Sequence, residues 1–279
     1  MTRPRAIGVL ALAIAAAVIL RWPRPTEAVS ISPTAIYLSS RDRTASFELY
    51  NGDDTPAEVE LSLAFGYPAS DSLGRVDVHL LDSVPATEPS AVPWLRLFPR
   101  RVVLQPKQRQ LVRVGAYPPA GIAVGEYWAR LLVRSRPSPL PVEADKGRSA
   151  RRPLMKIETL FITALNYRNG AVTTGVQVDS ARARTTDSTL SLVLDMHRTG
   201  NAAYLGRLNV EVLSTSGAVV MQSAEDVAVY RSLRRIITFP LARGSASTFR
   251  YRLATERDDI DPSVVARAEP VSGQVRFAP

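Results

Sequence analysis

The stretch that decides the fold is Pro93–Val133, PWLRLFPRRVVLQPKQRQLVRVGAYPPAGIAVGEYWARLLV. Trp94–Phe98 alternates apolar and polar residues, and Pro99 stops it. Val102–Leu104 runs into the turn Gln105–Pro106–Lys107. Leu111–Val114 resumes the alternation, with Arg113 on the face opposite Val112 and Val114. Pro118, Pro119 and Gly121 break the chain before Tyr127–Val133. Apolar residues at period two, in short runs closed by proline and glycine, specify half-buried antiparallel strands. Several such runs in succession specify a β-sandwich of the immunoglobulin type.

The same pattern extends to both sides. Val29–Leu38 (VSISPTAIYL) reads as one edge strand holding Pro33, a residue that edge strands tolerate. Thr44–Tyr50 and Ala57–Phe65 flank the turn Asn51–Gly52–Asp53–Asp54 and read as a hairpin. A short strand is expected at Arg75–Leu81. Downstream, residues 134–153 lack apolar periodicity and carry prolines and charges, so they read as a mobile hairpin loop, with a plain interdomain tether as the alternative. Leu154–Arg168 (LMKIETLFITALNYR) then alternates as the long last strand of the first domain, with Met155, Ile157, Thr159 and Phe161 on one face. From Asn169 a second all-β unit begins: Thr189–Met196, a turn over His197–Asn201, and Leu205–Leu213 pairing back. Shorter strands follow at Val219–Met221, Val227–Tyr230, Arg234–Phe239, Thr248–Leu253 and Gly273–Phe277. The expected architecture is all-β: two tandem immunoglobulin-like sandwiches, 29–168 and 169–279.

Composition bounds the chemistry. A length of 279 residues suits two domains, and 46% hydrophobic content suffices for two cores. With no cysteine there are no disulfides or thiolate metal sites. Arg3 and Arg5 precede the apolar run Ala6–Leu20, and a polar segment ends at Thr26–Glu27–Ala28. This is the layout of a cleavable secretory signal peptide over residues 1–28; Arg21, Trp22 and Arg24 leave an uncleaved anchor as the alternative. Removing that segment takes away four arginines and one glutamate and lowers the formal charge from +9 by three, to +6. So modest a charge on a secreted chain, with no basic stripe interleaved with aromatics, points away from nucleic acid. Catalytic motifs are missing: the two histidines, His79 and His197, stand apart, and no G-x-S-x-G, phosphate loop or H-E-x-x-H occurs. Asp258–Asp259–Ile260–Asp261 lacks the spacing of a calcium loop and reads as a solvated turn. Neither a metal, a cofactor nor an enzymatic activity is expected.

The long strand raises an edge problem. Its backbone groups, beside a long loop, can pair with another chain, and proteins either blunt such edges or use them to capture an extended segment. Lys156 and Glu158 are its blunting charges, both on one face. The sequence leaves open whether the strand is at an edge or internal.

Several pieces in order resemble the PapD-like periplasmic chaperones of pilus assembly: Trp94, Pro99–Arg100–Arg101, Leu104–Gln105–Pro106, Gln110–Val114 and Gly125–Glu126–Tyr127. Weaker marks in the second domain are Arg198–Thr199–Gly200–Asn201, Gly206 and Tyr230. The resemblance implies a boomerang of two immunoglobulin-like domains whose first domain lends its last strand to a pilin-like subunit. Met155, Ile157, Thr159 and Phe161 would fill the subunit's groove. It implies secreted pilus or surface-fibre subunits and an outer-membrane usher as partners, self-pairing through the same edge, and a place in the periplasm. It implies an interdomain salt bridge of Glu126, Arg168 and Asp258 (or Asp259). It also implies two basic residues in the cleft for the subunit's terminal carboxylate. Here Ala35 and Ala164 stand at those places, which leaves Arg168, Arg41 or Arg43 as substitutes. The departure favours the alternative function, a secreted tandem immunoglobulin-like module of a surface-assembly system without strand donation.

Overall fold

The computed structural model describes residues 29–138, 157–240 and 246–277. The expected signal peptide, Met155 and residues 139–153 of the expected loop lie outside them. Four sheets form. The first is ordered β1 (Val29–Ser32), β3 (Thr44–Asn51), β8 (Arg109–Ala116), β6 (Leu95–Phe98). The second is ordered β2 (Ala35–Ser39), β10 (Thr159–Asn169), β9 (Gly125–Pro137), β4 (Ala57–Ser70), β5 (Val76–Leu81), with β7 (Arg101–Leu104) also paired to β4. These two sheets close on a core that includes Phe47, Leu49, Leu61, Val112, Val114, Leu131 and Leu165. Alternation produces it: in β8, Val112 and Val114 point in while Leu111 and Arg113 point out.

The third sheet is β11 (Thr174–Thr185), β12 (Thr189–Gly200), β15 (Ser232–Pro240). The fourth is β14 (Val219–Val229), β13 (Tyr204–Ser214), β16 (Ala246–Ala254), β17 (Val271–Arg276). Leu192, Leu194, Val210, Val212, Phe249 and Leu253 fill the space between them. The chain is thus all-β, in two sandwiches.

Two expected pairings are corrected. Thr44–Tyr50 and Ala57–Phe65 do not form a hairpin, because β3 and β4 lie in opposite sheets. The buried Asn51 makes the crossing: its Nδ2 donates to the carbonyls of Thr55, Leu104 and Gln105 at 2.9, 3.1 and 3.1 Å. Likewise β13 pairs with β14 and β16, not back onto β12. In a sandwich, successive strands often belong to different layers, and period-two patterns carry no information about which. The edge strand β11 has little signature in the sequence, because its residues, TGVQVDSARART, alternate weakly. It extends β12 to Gly200, so the expected turn at His197–Asn201 begins only at its end. Val219–Val229 is one strand rather than two, and Val29–Leu38 is two strands rather than one, shared between sheets.

A third apolar cluster lies between the sandwiches: Phe65 and Trp128 from the first, with Ala203, Leu205, Tyr230 and Val265 from the second. The end of the β4–β5 hairpin adds to this contact. Ser70 Oγ accepts the Arg234 amide at 2.7 Å, and Arg235 Nη1 donates to the Gly74 carbonyl at 2.9 Å. Gly74 has φ +73°, and a Cβ there would come within 2.9 Å of Ile236, so glycine is required on both counts.

Asn51→Ala should cost about 1–3 kcal/mol, because the buried Leu104 carbonyl and the part-buried carbonyls of Thr55 and Gln105 lose their donor. The urea midpoint should fall with little change in slope. Asn51→Asp, which places an acceptor against those carbonyls, should cost more.

Candidate functional site: a half-open strand edge beside the interdomain cleft

Strand β10 is paired along one edge and half-paired along the other. β9 runs antiparallel to it over Thr159–Asn169, while β2 covers Ala164–Arg168 in parallel. Continued upstream, that parallel register would set Ser30–Thr34 opposite Thr159–Thr163. Those residues are committed elsewhere, since β1 pairs with β3 in the other sheet. The Ser40 amide donates to the Arg168 carbonyl at 3.0 Å, which places the polar backbone groups of Arg168 on the β2 side. Strand alternation puts those of Leu160 and Ile162 on the same side. Among the described residues no strand lies there.

The side chains grade outward. Leu165 and Thr163 are buried, and Phe161 packs against the first core. Thr159 is half-buried, and Ile157, just before the strand, is 61% exposed. On the other face Leu160 is 44% exposed. Glu158 pairs with Arg134 at 3.0 Å.

The cleft face of this sheet is a grid across β2, β10 and β9. Ala35, Ala164 and Arg130 lie abreast in one row, Tyr37, Asn166 and Trp128 in the next, and Ser39, Arg168 and Glu126 in the third. The Glu126 carboxylate is 1% exposed and takes three donors: Arg168 Nε at 2.8 Å, Trp128 Nε1 at 3.1 Å and the Ala203 amide of the second domain at 3.2 Å. Charge-assisted bonds of this kind are what make a buried carboxylate tolerable. The Arg168 guanidinium also lies 4.5 Å over the Tyr37 ring. Burial, followed by Tyr230 and the negative Glu126, pushes the Tyr37 phenol above its ordinary range, so it stays protonated. The Glu126 amide donates to the Asn201 carbonyl at 2.9 Å, which joins the Gly125–Glu126–Tyr127 and Arg198–Asn201 segments. Arg198 Nε donates to the Tyr230 carbonyl at 2.8 Å. Burial lowers the guanidinium's pKa from its ordinary value.

Asp258 stands apart from this set. It pairs with Arg207 at 2.8 Å, and Asp259 pairs with Arg257. The connection from Glu126 to the second domain therefore runs through a backbone amide rather than a second carboxylate. Arg41 and Arg43 are exposed in the β2–β3 turn, and Arg168 is engaged by Glu126.

Arg130 went unremarked in the sequence. It is 4% exposed, its Nε donates to the Gly66 carbonyl at 2.9 Å, and its guanidinium lies 4.6 Å over the Tyr230 ring. No carboxylate pairs with it among the described residues, and its Nη2 is buried without a hydrogen-bond partner. The available signal was an arginine inside the apolar run Tyr127–Val133, a place where charge is costly unless used.

No protein-family model and no curated protein matches the chain. Solved structures similar to it include chaperones, some of them in complex with a pilin or a pilus tip subunit. A YadV chaperone is 13% identical, with 90% of this chain and 100% of that chain covered, at a TM-score of 0.46. The CsuC–CsuE chaperone–tip subunit pre-assembly complex from Csu pili of Acinetobacter baumannii gives 12% identity, 88% and 98% coverage, and a TM-score of 0.44. The Salmonella enterica SafA pilin in complex with the SafB chaperone gives 14%, 89% and 96%, and 0.43.

Glu126→Ala should destabilise the protein by about 3–5 kcal/mol, since it strands a largely buried Arg168 and two N–H donors. Chemical denaturation measures it, and Glu126→Gln, which keeps an acceptor oxygen, should lose less.

Proposed function

We propose that this protein is a periplasmic, ATP-independent, non-enzymatic chaperone that binds secreted pilus- or fibre-type subunits by lending them β10. The observation that carries the reading is the open edge at Thr159–Thr163, where the backbone groups of Leu160 and Ile162 are presented beside an apolar row leaving the core. A subunit strand laid on that edge completes the ladder, and the subunit's own core covers Ile157, Thr159 and, beyond the described residues, Met155. Phe161 anchors the row to the chaperone's core. An outer-membrane usher would receive the loaded complex, and without a subunit the same edge would pair two copies.

In this reading Arg130 takes the part of the absent cleft bases. It lies in the row of Ala35 and Ala164, and its buried Nη2 has no hydrogen-bond partner. A subunit's terminal carboxylate would pair with the Arg130 guanidinium in a charge-assisted bond.

The lack of charge at Ala35 and Ala164 favours the second reading, a surface-assembly module that keeps the fold without donating a strand. One variant separates the two. Leu160→Pro removes an N–H that faces the open edge and leaves the β9 ladder whole, as proline permits at an edge. It should reduce recovery of small β-rich subunits from periplasmic extract by about tenfold, the scale of a lost ladder bond or two. Ile157→Asp should act in the same direction, and both should leave the urea midpoint near wild type. Undiminished recovery by both variants favours the second reading.

If Arg130 holds the carboxylate, a subunit amidated at its C-terminus should bind about tenfold more weakly than the free acid. Arg130→Met should remove the difference; calorimetry on wild type and variant reads it directly.

A further inference from the structure

The first sandwich has two seams, and the one away from β10 is also unfinished. Sheet order places β1, β2 and β10 along one side and β6 and β4 along the other. Strand β6 pairs with β8 and with no second strand among the described residues. The Tyr117 amide donates to the Trp94 carbonyl at 2.9 Å, which fixes the alternation. The backbone groups of Trp94, Arg96 and Phe98 face β8, and those of Leu95 and Leu97 face outward. Across the seam, β4 pairs with β7 over Ala57–Glu60 and with β5 over Phe65–Ser70, leaving an interval between them. The Leu61 amide in that interval donates to the Arg100 carbonyl at 2.8 Å, so Leu63, two residues on, turns its polar backbone groups to the same side. A groove of about 660 Å³ separates these two edges, with Leu63 and Val92 half-exposed in it.

Its charge is one-sided. Arg96, Arg100 and Arg101 line it, with Glu60 as the carboxylate among them. Glu60 is already taken by Arg101, at 2.8 Å from Nη2 and 3.2 Å from Nε. Arg96 Nη1 is turned onto the Pro93 and Leu95 carbonyls, and Arg100 has no carboxylate partner among the described residues. Beside the groove, on the outer face, Phe98 is 77% exposed and sits across from Arg113.

We propose that this seam is a second docking site, which takes an extended acidic segment of a partner protein as an added strand on β6. The Leu95 and Leu97 amides and the Leu97 carbonyl can bond any backbone, the Leu95 carbonyl being released when Arg96 turns to a carboxylate, and the arginine rim selects a segment that carries Asp or Glu. Because the two seams lie on opposite sides of the sandwich, occupation here leaves β10 free. The inference does not depend on strand donation by β10.

The test uses the protein lacking residues 1–28 and two fluorescent peptides, one alternating valine with aspartate and one alternating valine with lysine. Anisotropy should show saturable binding of the aspartate peptide, weakened by salt and weakened about tenfold or more by the exposed double variant Arg96→Glu/Arg100→Glu. Hydrogen exchange should slow at the Leu95 and Leu97 amides on binding. Leu160→Pro, which addresses the other seam, should change neither result. Equal binding of the lysine peptide, full affinity in the double variant, or protection confined to β10 would each overturn the proposal.

Discussion

A strand can be hydrogen-bonded into one sheet at a time, and the first ten or so described residues are divided between two. β1 completes the sheet of β3 and β8, and β2 starts beside β10 only at Ala35. The unpaired stretch of β10 follows from that division. Had residues 29–39 stayed beside β10, its upstream half would be an interior strand and Ile157 and Leu160 would stand beside a finished ladder. The cost of an open edge is a hazard of unwanted pairing, which natural sheets usually blunt. Here one flanking charge, Glu158, is drawn to Arg134, and the exposed positions nearby are Ile157 and Leu160.

The second constraint is the junction between the sandwiches. Arginines meet aromatic faces throughout it: Arg168 over Tyr37, Arg130 over Tyr230, Arg198 over Trp128 and Arg231 over Tyr67. Glu126 and Glu88 pair with two of the four, Arg168 and Arg231. Ring faces partly offset buried guanidinium charge, at about 0.5–2 kcal/mol per contact. The junction also draws on Trp128 stacking against Phe65 and edge-on to Tyr230, with centroids 6.3 and 4.9 Å apart. With the β4–β5 hairpin braced on β15, the cleft beside β10 has walls from both sandwiches.

Much of the fold was legible in the order of residues. The runs at Leu95–Phe98 and Arg109–Ala116 alternate between core and solvent at period two, whereas the first half of Gly125–Pro137 is buried on both faces, against the core and against the interdomain cleft. The Glu126–Arg168 pair came from the motif resemblance rather than from alternation, and the structure places the two side by side. Pairing was less legible. Thr44–Tyr50 and Ala57–Phe65 are near in sequence and look like a hairpin, yet Asn51 carries the chain to the opposite layer. Strand β11 was hidden because an edge strand needs little apolar area on either face.

By itself the sequence determined the class of the protein: all-β, two sandwiches, and a long apolar-edged strand in the first. Local alternation and turn residues are enough for that, because they act over a few positions. Only the tertiary structure decided which edges remain unpaired, that Asp258 belongs with Arg207, and that Arg130 lies abreast of Ala35 and Ala164. Those facts depend on register between strands distant in the chain, and register is set by the joint packing of both sheets rather than by any one segment.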